Sequence, residues 1–386
     1  MILLLFLLLI LIVLAIDIFP QFNTWQSRIH IGRFENKEEW KQKIVQKSQI
    51  WLMAMPTIKL TDNTRLIIID ILKGNYKRTA IQSWQEASLI LGLTAHYLSS
   101  NDQKIKAKID AFVNTKIDTN GNWKTQPKEI DEVILAYAII NIPWINHEKF
   151  KPSYYAIYKL IEDLKGTDRT IAYKKHVTNF RFVDTIGFIC PFLINYGLKF
   201  NYTDAVNLGV LQILEFNKFG MLKDTFIPCH TYTIDTKLPV GLFGWGRGLG
   251  WYAIGLIDSW TALPNDHPSK TKLANSVILF AKMAIKHQAN NGSWTWIILD
   301  NNARLDSSTT ATLTWFLANA AAIEEITQEC ENAKNKAINY LMKVTRRDGA
   351  IDFSQGDTKA IGIHSQEFNI LPFTQGFALR ASSIKF

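Results

Sequence analysis

The sequence predicts an all-α protein with about twelve helices packed as two layers in a single domain, and three observations lead there. Apolar residues recur at helical spacing almost throughout, whereas period-2 alternation is rare. Two kinds of helix follow one another along the chain. Some carry little charge anywhere, as in 307–322; others, as in 102–113 and 327–344, carry Lys and Glu on one face only. A helix that is apolar all round is buried on both sides, and an amphipathic one meets solvent. Alternation of the two is what concentric rings of helices require. Past residue 22 no low-complexity linker or shift of composition divides the chain, so 23–386 reads as one domain. A closed barrel shares this periodicity with an open bundle or solenoid.

The first element is a leader. Residues 1–16 form an unbroken apolar run that ends at Asp17, with Pro20 close behind. A helix of that length rises roughly 24 Å, somewhat short of a ~30 Å hydrocarbon core. No Lys or Arg precedes the run, Val13-Leu14-Ala15 suits a signal peptidase, and no nearby Cys is placed to accept a lipid. Residues 1–22 therefore read as a signal peptide or a short membrane anchor, with membrane association through 1–16 and the body outside the cytosol.

The expected helices then run 36–54, 82–98, 102–114, 128–141, 151–165, 184–197, 202–217, 246–260, 269–289, 307–323, 327–344 and 371–382. Several pass into short turns with Gly beside an apolar or Trp residue: Asn120-Gly121-Asn122-Trp123, Phe219-Gly220-Met221-Leu222, Asn291-Gly292-Ser293-Trp294 and Asp348-Gly349-Ala350-Ile351. Gly just past a helix is the usual left-handed stop, and its recurrence hints at a repeated helical hairpin.

Composition narrows the function classes. Apolar residues make up 47% and charged residues 20%, which excludes a disordered chain. The net charge of +9 comes from scattered lysines without interleaved aromatics, so a nucleic-acid surface is not indicated. An anionic ligand and an ordinary solvated basic surface both fit. Twelve Trp residues suit both cores and clefts in which sugars stack. Cys190, Cys229 and Cys330 are odd in number and far apart, which argues for buried thiols over a zinc site or disulfide framework. No His, Cys and carboxylate spacing suits a metal, and no cofactor is expected. Nothing in the sequence bears on oligomeric state.

The densest peculiarity is Gly244-Trp245-Gly246-Arg247-Gly248-Leu249-Gly250-Trp251-Tyr252, which opens an apolar helix. Its glycines clear the way for close approach to the backbone, leaving Trp245, Trp251 and Arg247 to project. Arg offers a planar fork for a carboxylate and Trp a face for a sugar ring. The segment lacks the Gly-Lys-Ser/Thr of a phosphate loop.

Trp-Gly-Arg-Gly-x-Gly-Trp at the head of an inner helix resembles the signature of the unsaturated glucuronyl and rhamnogalacturonyl hydrolases, glycoside hydrolase families 88 and 105. Four further segments resemble that family in the same order: Glu129-Ile130-Asp131-Glu132, Phe182-Val183-Asp184-Thr185-Ile186-Gly187-Phe188 followed by Cys190-Pro191-Phe192-Leu193, Cys229-His230-Thr231-Tyr232, and Leu305-Asp306-Ser307-Ser308-Thr309-Thr310-Ala311, where Asp stands in place of Glu. Leu249 also departs from the family, occupying a position often polar there.

The resemblance implies an (α/α)6 barrel and a hydrolase that removes a 4,5-unsaturated uronic acid from an oligosaccharide by hydrating its C4=C5 bond. It implies Asp184 as proton donor and later base, and Asp131 as the like-charged neighbour that raises the Asp184 pKa. His230, Trp245, Arg247, Trp251 and Ser308 would contact substrate. By themselves, Asp184 at a helix start reads as an N-cap and Asp131 as a first-turn acid facing the helix dipole; Arg247 equally suits a buried ion pair. Two other functions share the barrel: a conventional two-carboxylate glycosidase acting on a saturated uronide, and a glycan-binding relative without turnover.

Overall fold

The structure, a computed structural model, describes residues 1–56, 58, 66–73, 83–358 and 360–384. Two helices precede the barrel: α1 (Ile2–Val13) and α2 (Phe19–Arg28), joined through a π-helical turn at Leu14–Ile18. After them come α3 (Lys37–Met53), a short α4 (Ile67–Leu72), α5 (Ser83–Ser100) and α6 (Gln103–Lys116). Next are α7 (Val133–Ile140), α8 (Lys151–Glu162), α9 (Val183–Lys199), α10 (Thr203–Phe219) and α11 (Gly246–Ala262). The series ends with α12 (Lys270–Lys286), α13 (Ser307–Ala320), α14 (Thr327–Lys343) and α15 (Pro372–Ser382).

Among the described residues α5, α7, α9, α11, α13 and α15 each pack on the next, and α15 returns to α5, closing an inner ring. The outer ring is α3, α6, α8, α10, α12 and α14, each lying against inner neighbours. This is the (α/α)6 barrel, and the two expected kinds of helix divide between the rings. In α13 nearly every residue is buried, whereas α14 buries only one side, including Cys330, Ala333, Ala337 and Leu341. The expected helices lie within a few residues of their predicted ends, except that 128–141 shortens to α7 behind a 3-10 turn at Ile130–Glu132. The predicted start at residue 82 lies outside the described residues.

Close approach within the ring depends on missing side chains. A Cβ on Gly92 of α5 would lie 2.4 Å from the carbonyl oxygen of Gly376 in α15, and one on Gly255 of α11 would lie 2.5 Å from that of Ile186 in α9. Deeper in the ring Asp258 accepts from Arg380 Nη1 at 2.6 Å and Trp315 Nε1 at 2.8 Å, and Arg380 Nη2 donates to Tyr137 Oη at 3.1 Å. That network joins α7, α11, α13 and α15 with its buried charges paired, the condition on which such charges are tolerated.

The repeated turn is present. After α6, α12 and α14 the chain reverses at Gly121, Gly292 and Gly349, whose φ angles are +83°, +92° and +86°. Gly220 differs: it caps α10 at φ −100° and leads into a strand. That strand belongs to a small antiparallel sheet not foreseen from the periodicity. β1 (Phe180–Phe182) and β4 (Pro239–Phe243) both pair with β3 (Ile227–Thr233), and β2 (Met221–Leu222) pairs with the start of β3. β3 is buried over most of its length, so it lacks the alternation that marks a half-exposed strand. A two-stranded pair, β5 (Ser354–Gln355) with β6 (Phe368–Asn369), bridges the loop before α15. All three cysteines are buried thiols.

Candidate active site

The inner helices begin at one end of the barrel, and a cavity of about 710 Å³ sits over those starts. Its floor is aromatic. Trp84 from α5, Phe188 from α9 and Trp251 from α11 line it, with Phe373 of α15 packed behind Trp84 and Trp251, the contacting ring centroids 4.3–5.7 Å apart. Asp131, Asp184, His230, Trp245, Arg247 and Trp251 all line the cavity, so residues separated by up to 120 positions converge there.

Asp184 is the second residue of α9. The N-cap position belongs to Phe182, two residues before it. The capping interpretation of this residue is thereby set aside. Burial pushes its pKa up to about 7, with the Asp357 and Asp131 charges adding to the rise and Arg247 opposing it. Asp131 sits in the 3-10 turn before α7, where Glu129 and Glu132 form the capping box. The capping work is thus done by its neighbours, and Asp131 lines the cavity, its pKa pushed up to about 6 by burial and then by Glu132 and Glu129. Asp131 is among the charges that raise the Asp184 pKa, after burial and the Asp357 charge.

His230 stands on β3, held between Phe182 and Trp245, with ring centroids 5.6 and 4.7 Å away. Its Nε2 lies 3.7 Å from Asp184 Oδ2. Burial lowers its pKa to about 3, and the neighbouring His364 is lowered to about 4, so both imidazoles are neutral near pH 7. This contact is therefore not an ion pair. It sets a neutral ring beside a carboxyl that prefers to keep its proton.

Arg247 and Trp245 are held from the β5 side. Arg247 Nη2 donates to the Gln355 carbonyl and, at 3.1 Å, to the Gly356 carbonyl; Trp245 Nε1 donates to Gln355 Oε1 at 3.1 Å. Arg247 thus hydrogen-bonds to backbone, while the charges of Asp306, Asp357 and Asp184 surround it. Among the described residues no hydrogen-bond partner meets Arg247 Nε and Nη1, Asp184 Oδ2 or His230 Nδ1. Buried polar atoms without partners are uncommon, and their concentration around one cavity marks a place built to receive a polar ligand. The glycines of the motif serve packing against α13: a Cβ on Gly246 would fall 2.1 Å from Thr309 Oγ1, and one on Gly250 would fall 2.6 Å from Thr312 Oγ1. Leu249 is fully buried in α11.

Ser308 is the exception among the expected site residues. It does not line the cavity. Its hydroxyl donates to Asp306 at 2.7 and 2.9 Å and is buried in the first turn of α13. Asp306 is the N-cap there, so the motif holds a helix end in place of a ligand.

Other cavity residues escaped the sequence reading: Trp84, Tyr173, Lys174, His176, Phe182 and Asp357 among them. Tyr173, Lys174 and His176 lie in one aromatic and basic stretch, Tyr173-Lys174-Lys175-His176, which was a usable signal. Asp357 lies in an irregular loop whose local sequence carries none.

Comparison with known proteins agrees with this architecture. A model of the family described as Glycosyl Hydrolase Family 88 matches residues 53–383. Among solved structures, a possible member of the GH105 family from Salmonella enterica superposes with a TM-score of 0.74 at 17% identity, covering 91% of this chain and 94% of that one. A possible GH105 member from Klebsiella pneumoniae gives 0.76 at 15% identity, covering 91% and 93%. An unsaturated glucuronyl hydrolase responsible for glycosaminoglycan degradation, from a Bacillus species, gives 0.67 at 14% identity, covering 89% and 96%.

Proposed function

Because the chain belongs to Glycosyl Hydrolase Family 88, and is thus a glycoside hydrolase, we propose that it removes a 4,5-unsaturated uronic acid from the non-reducing end of an oligosaccharide by hydrating the C4=C5 bond. One observation carries the reading: a Trp-lined cavity holds two carboxyl groups whose pKa values are pushed to about 7 and about 6. A carboxylic acid that keeps its proton near neutrality is what protonation of an alkene carbon requires.

Asp184 donates its proton to C4, and the π pair forms the new C–H bond. The positive charge left at C5 is shared with the ring oxygen. The Asp184 carboxylate then takes a proton from water as the water oxygen bonds to C5. The resulting hemiketal opens to a ketone at C5, and the aglycone leaves from C1 as an alcohol. Asp131 helps to orient the water or the sugar. Arg247 and His230 present polar atoms to the uronate, and Trp245 and Trp251 present ring faces.

The test uses unsaturated disaccharides made by polysaccharide lyases, whose enol carboxylate absorbs in the ultraviolet. Asp184→Asn is expected to slow loss of that absorbance by about 10³-fold while the protein stays folded. Undiminished turnover in the variant removes Asp184 from the mechanism. In D2O, hydration places one deuterium at C4 of the early product. A product without deuterium on carbon, or comparable cleavage of a saturated uronide, points to conventional displacement at the anomeric carbon.

A further inference from the structure

The mechanism makes no use of the N-terminal helices, yet they are tied to the wall of the catalytic cavity. α1 is apolar on every side and buries none of its residues; Leu3, Leu5, Leu7 and Leu9 are all more than half exposed. A helix packing on a second protein shows one apolar stripe, whereas a helix apolar all round and left uncovered suits lipid. The apolar surface continues past α1. Phe19, Phe22, Trp25 and Ile29 are exposed on or beside α2, and Leu66, Ile71 and Leu72 are exposed around α4. Asp17 joins these parts: fully buried, it accepts from the backbone N–H of Ile67 and, at 3.4 Å, that of Ile68. Beside them Arg33 and Arg347 are exposed, a charge arrangement that suits anionic headgroups.

The base of this apolar unit is part of the folded body. Arg28 donates to buried Asp352 at 2.6 and 2.9 Å, Arg347 N–H donates to the Ser27 carbonyl at 3.1 Å, and Gly32 N–H donates to the Thr345 carbonyl at 3.0 Å. α2 and the loop before α15 enclose a groove of about 490 Å³ that includes Thr24, Trp25, Arg28, Gly356, Ser365 and Glu367. The same loop lines the catalytic cavity through Asp357, Thr358, Ala360 and Ile361. One loop thus has the anchor against one side and the cavity against the other.

We propose that residues 1–16 stay on the mature protein as a bilayer anchor, and that docking of α2 holds the mouth of the cavity at the membrane surface, so that the glycan acted on is presented there. The placement stands on these contacts alone; the statement about the glycan rests also on the proposed hydrolase activity. The experiments therefore read position, not turnover. Full-length protein from membranes of an expressing bacterium is expected to show an intact mass that includes residues 1–16 and to remain sedimentable through high salt and alkaline carbonate. Leu8→Arg with Leu9→Arg is expected to move it to the soluble fraction. A mass lacking the leader, or release of the parent protein by salt, overturns the anchor.

Orientation is read by a fluorophore on a single added cysteine, since Cys190, Cys229 and Cys330 are all buried. One probe replaces Ile363, which is 58% exposed near the cavity mouth; the other replaces Asp266, exposed beyond the far end of α11. In liposomes carrying headgroup spin labels, quenching is expected to be several-fold greater at 363 than at 266. Equal or reversed quenching overturns the orientation. Arg28→Ala is expected to erase the difference while membrane binding persists. Arg346 Nε still reaches Asp352 at 2.6 Å, so the variant leaves the buried acid paired. A difference unchanged in Arg28→Ala removes α2 docking from the account.

Discussion

Asp184 and Asp306 stand at the heads of two inner helices, both inside the barrel, and their surroundings give them opposite properties. Asp306 caps α13 and accepts from the backbone N–H groups of Ser308, Thr309 and Gln355 and from the hydroxyls of Ser308 and Thr309, at 2.6–3.1 Å. The Ser308 and Thr309 donors tie the side chain to the helix end. Asp184 sits two residues deeper into its helix and leaves Oδ2 without a partner among the described residues; it is buried, meets a neutral imidazole and feels two other acids. Burial first, and then those charges, push its pKa up to about 7. Burial alone does not make a carboxyl an acid catalyst. Asp306 is committed to a helix end, whereas Asp184 lines the cavity with one oxygen that has no hydrogen-bond partner among the described residues.

Substitutions at these two positions sharpen the contrast. The largest effect is expected at Asp184→Asn, with kcat lower by about 10³-fold and the helical circular dichroism unchanged. Asp306→Ala is expected to do the reverse, lowering stability by roughly 2–3 kcal/mol as a cap is lost and buried N–H groups lose their acceptor. Denaturant unfolding measures this; a loss of turnover in Asp306→Ala without a loss of stability breaks the comparison.

The pH dependence of stability gives a third test. The Asp184 pKa of about 7 in the folded protein lies above the unfolded carboxylate value of ~3.9. The folded state then binds more protons between those values, so this group's contribution is fully present below the lower one and is lost as pH rises through about 7. Asp184→Asn is expected to be more stable than the parent above pH 7, by at most roughly 4 kcal/mol. Thermal melts across pH check the sign.

With Asp184 as the proposed proton donor, activity is expected to fall as pH rises through about 7, where the acid loses its proton. The smallest expected effect is at Asp357→Asn. Removing that charge lets Asp184 ionise more readily, moving the alkaline limb to lower pH by on the order of half a unit. A limb that moves upward, or stays where it is, removes Asp357 from the electrostatics of the site.

Much of this was legible along the chain. Helical periodicity placed the barrel helices to within a few residues, and the two kinds of apolar pattern anticipated the inner and outer rings, because burial on one or both sides is written in local spacing. The Trp-Gly-Arg-Gly segment exposed one side of the cavity, since four glycines beside Trp and Arg are rare without a packing reason. β3 remained hidden because a strand buried on both faces shows no alternation.

The sequence by itself determined the helical class, the order of the elements, the apolar leader and the acids that could serve at the inner-helix heads. Tertiary structure alone decided the electrostatic surroundings of Asp184. Asp306 draws four of its five donors from Ser308 and Thr309 in its own helix; folding added the Gln355 N–H to it and the Asp357 charge to Asp184, the latter across 173 positions of chain. It likewise joined α2, through Arg28 and Asp352, to the chain just before the loop that lines the cavity. A pKa depends on the dielectric and the charges within a few ångströms, and those neighbours are set by chain closure, which no local window contains.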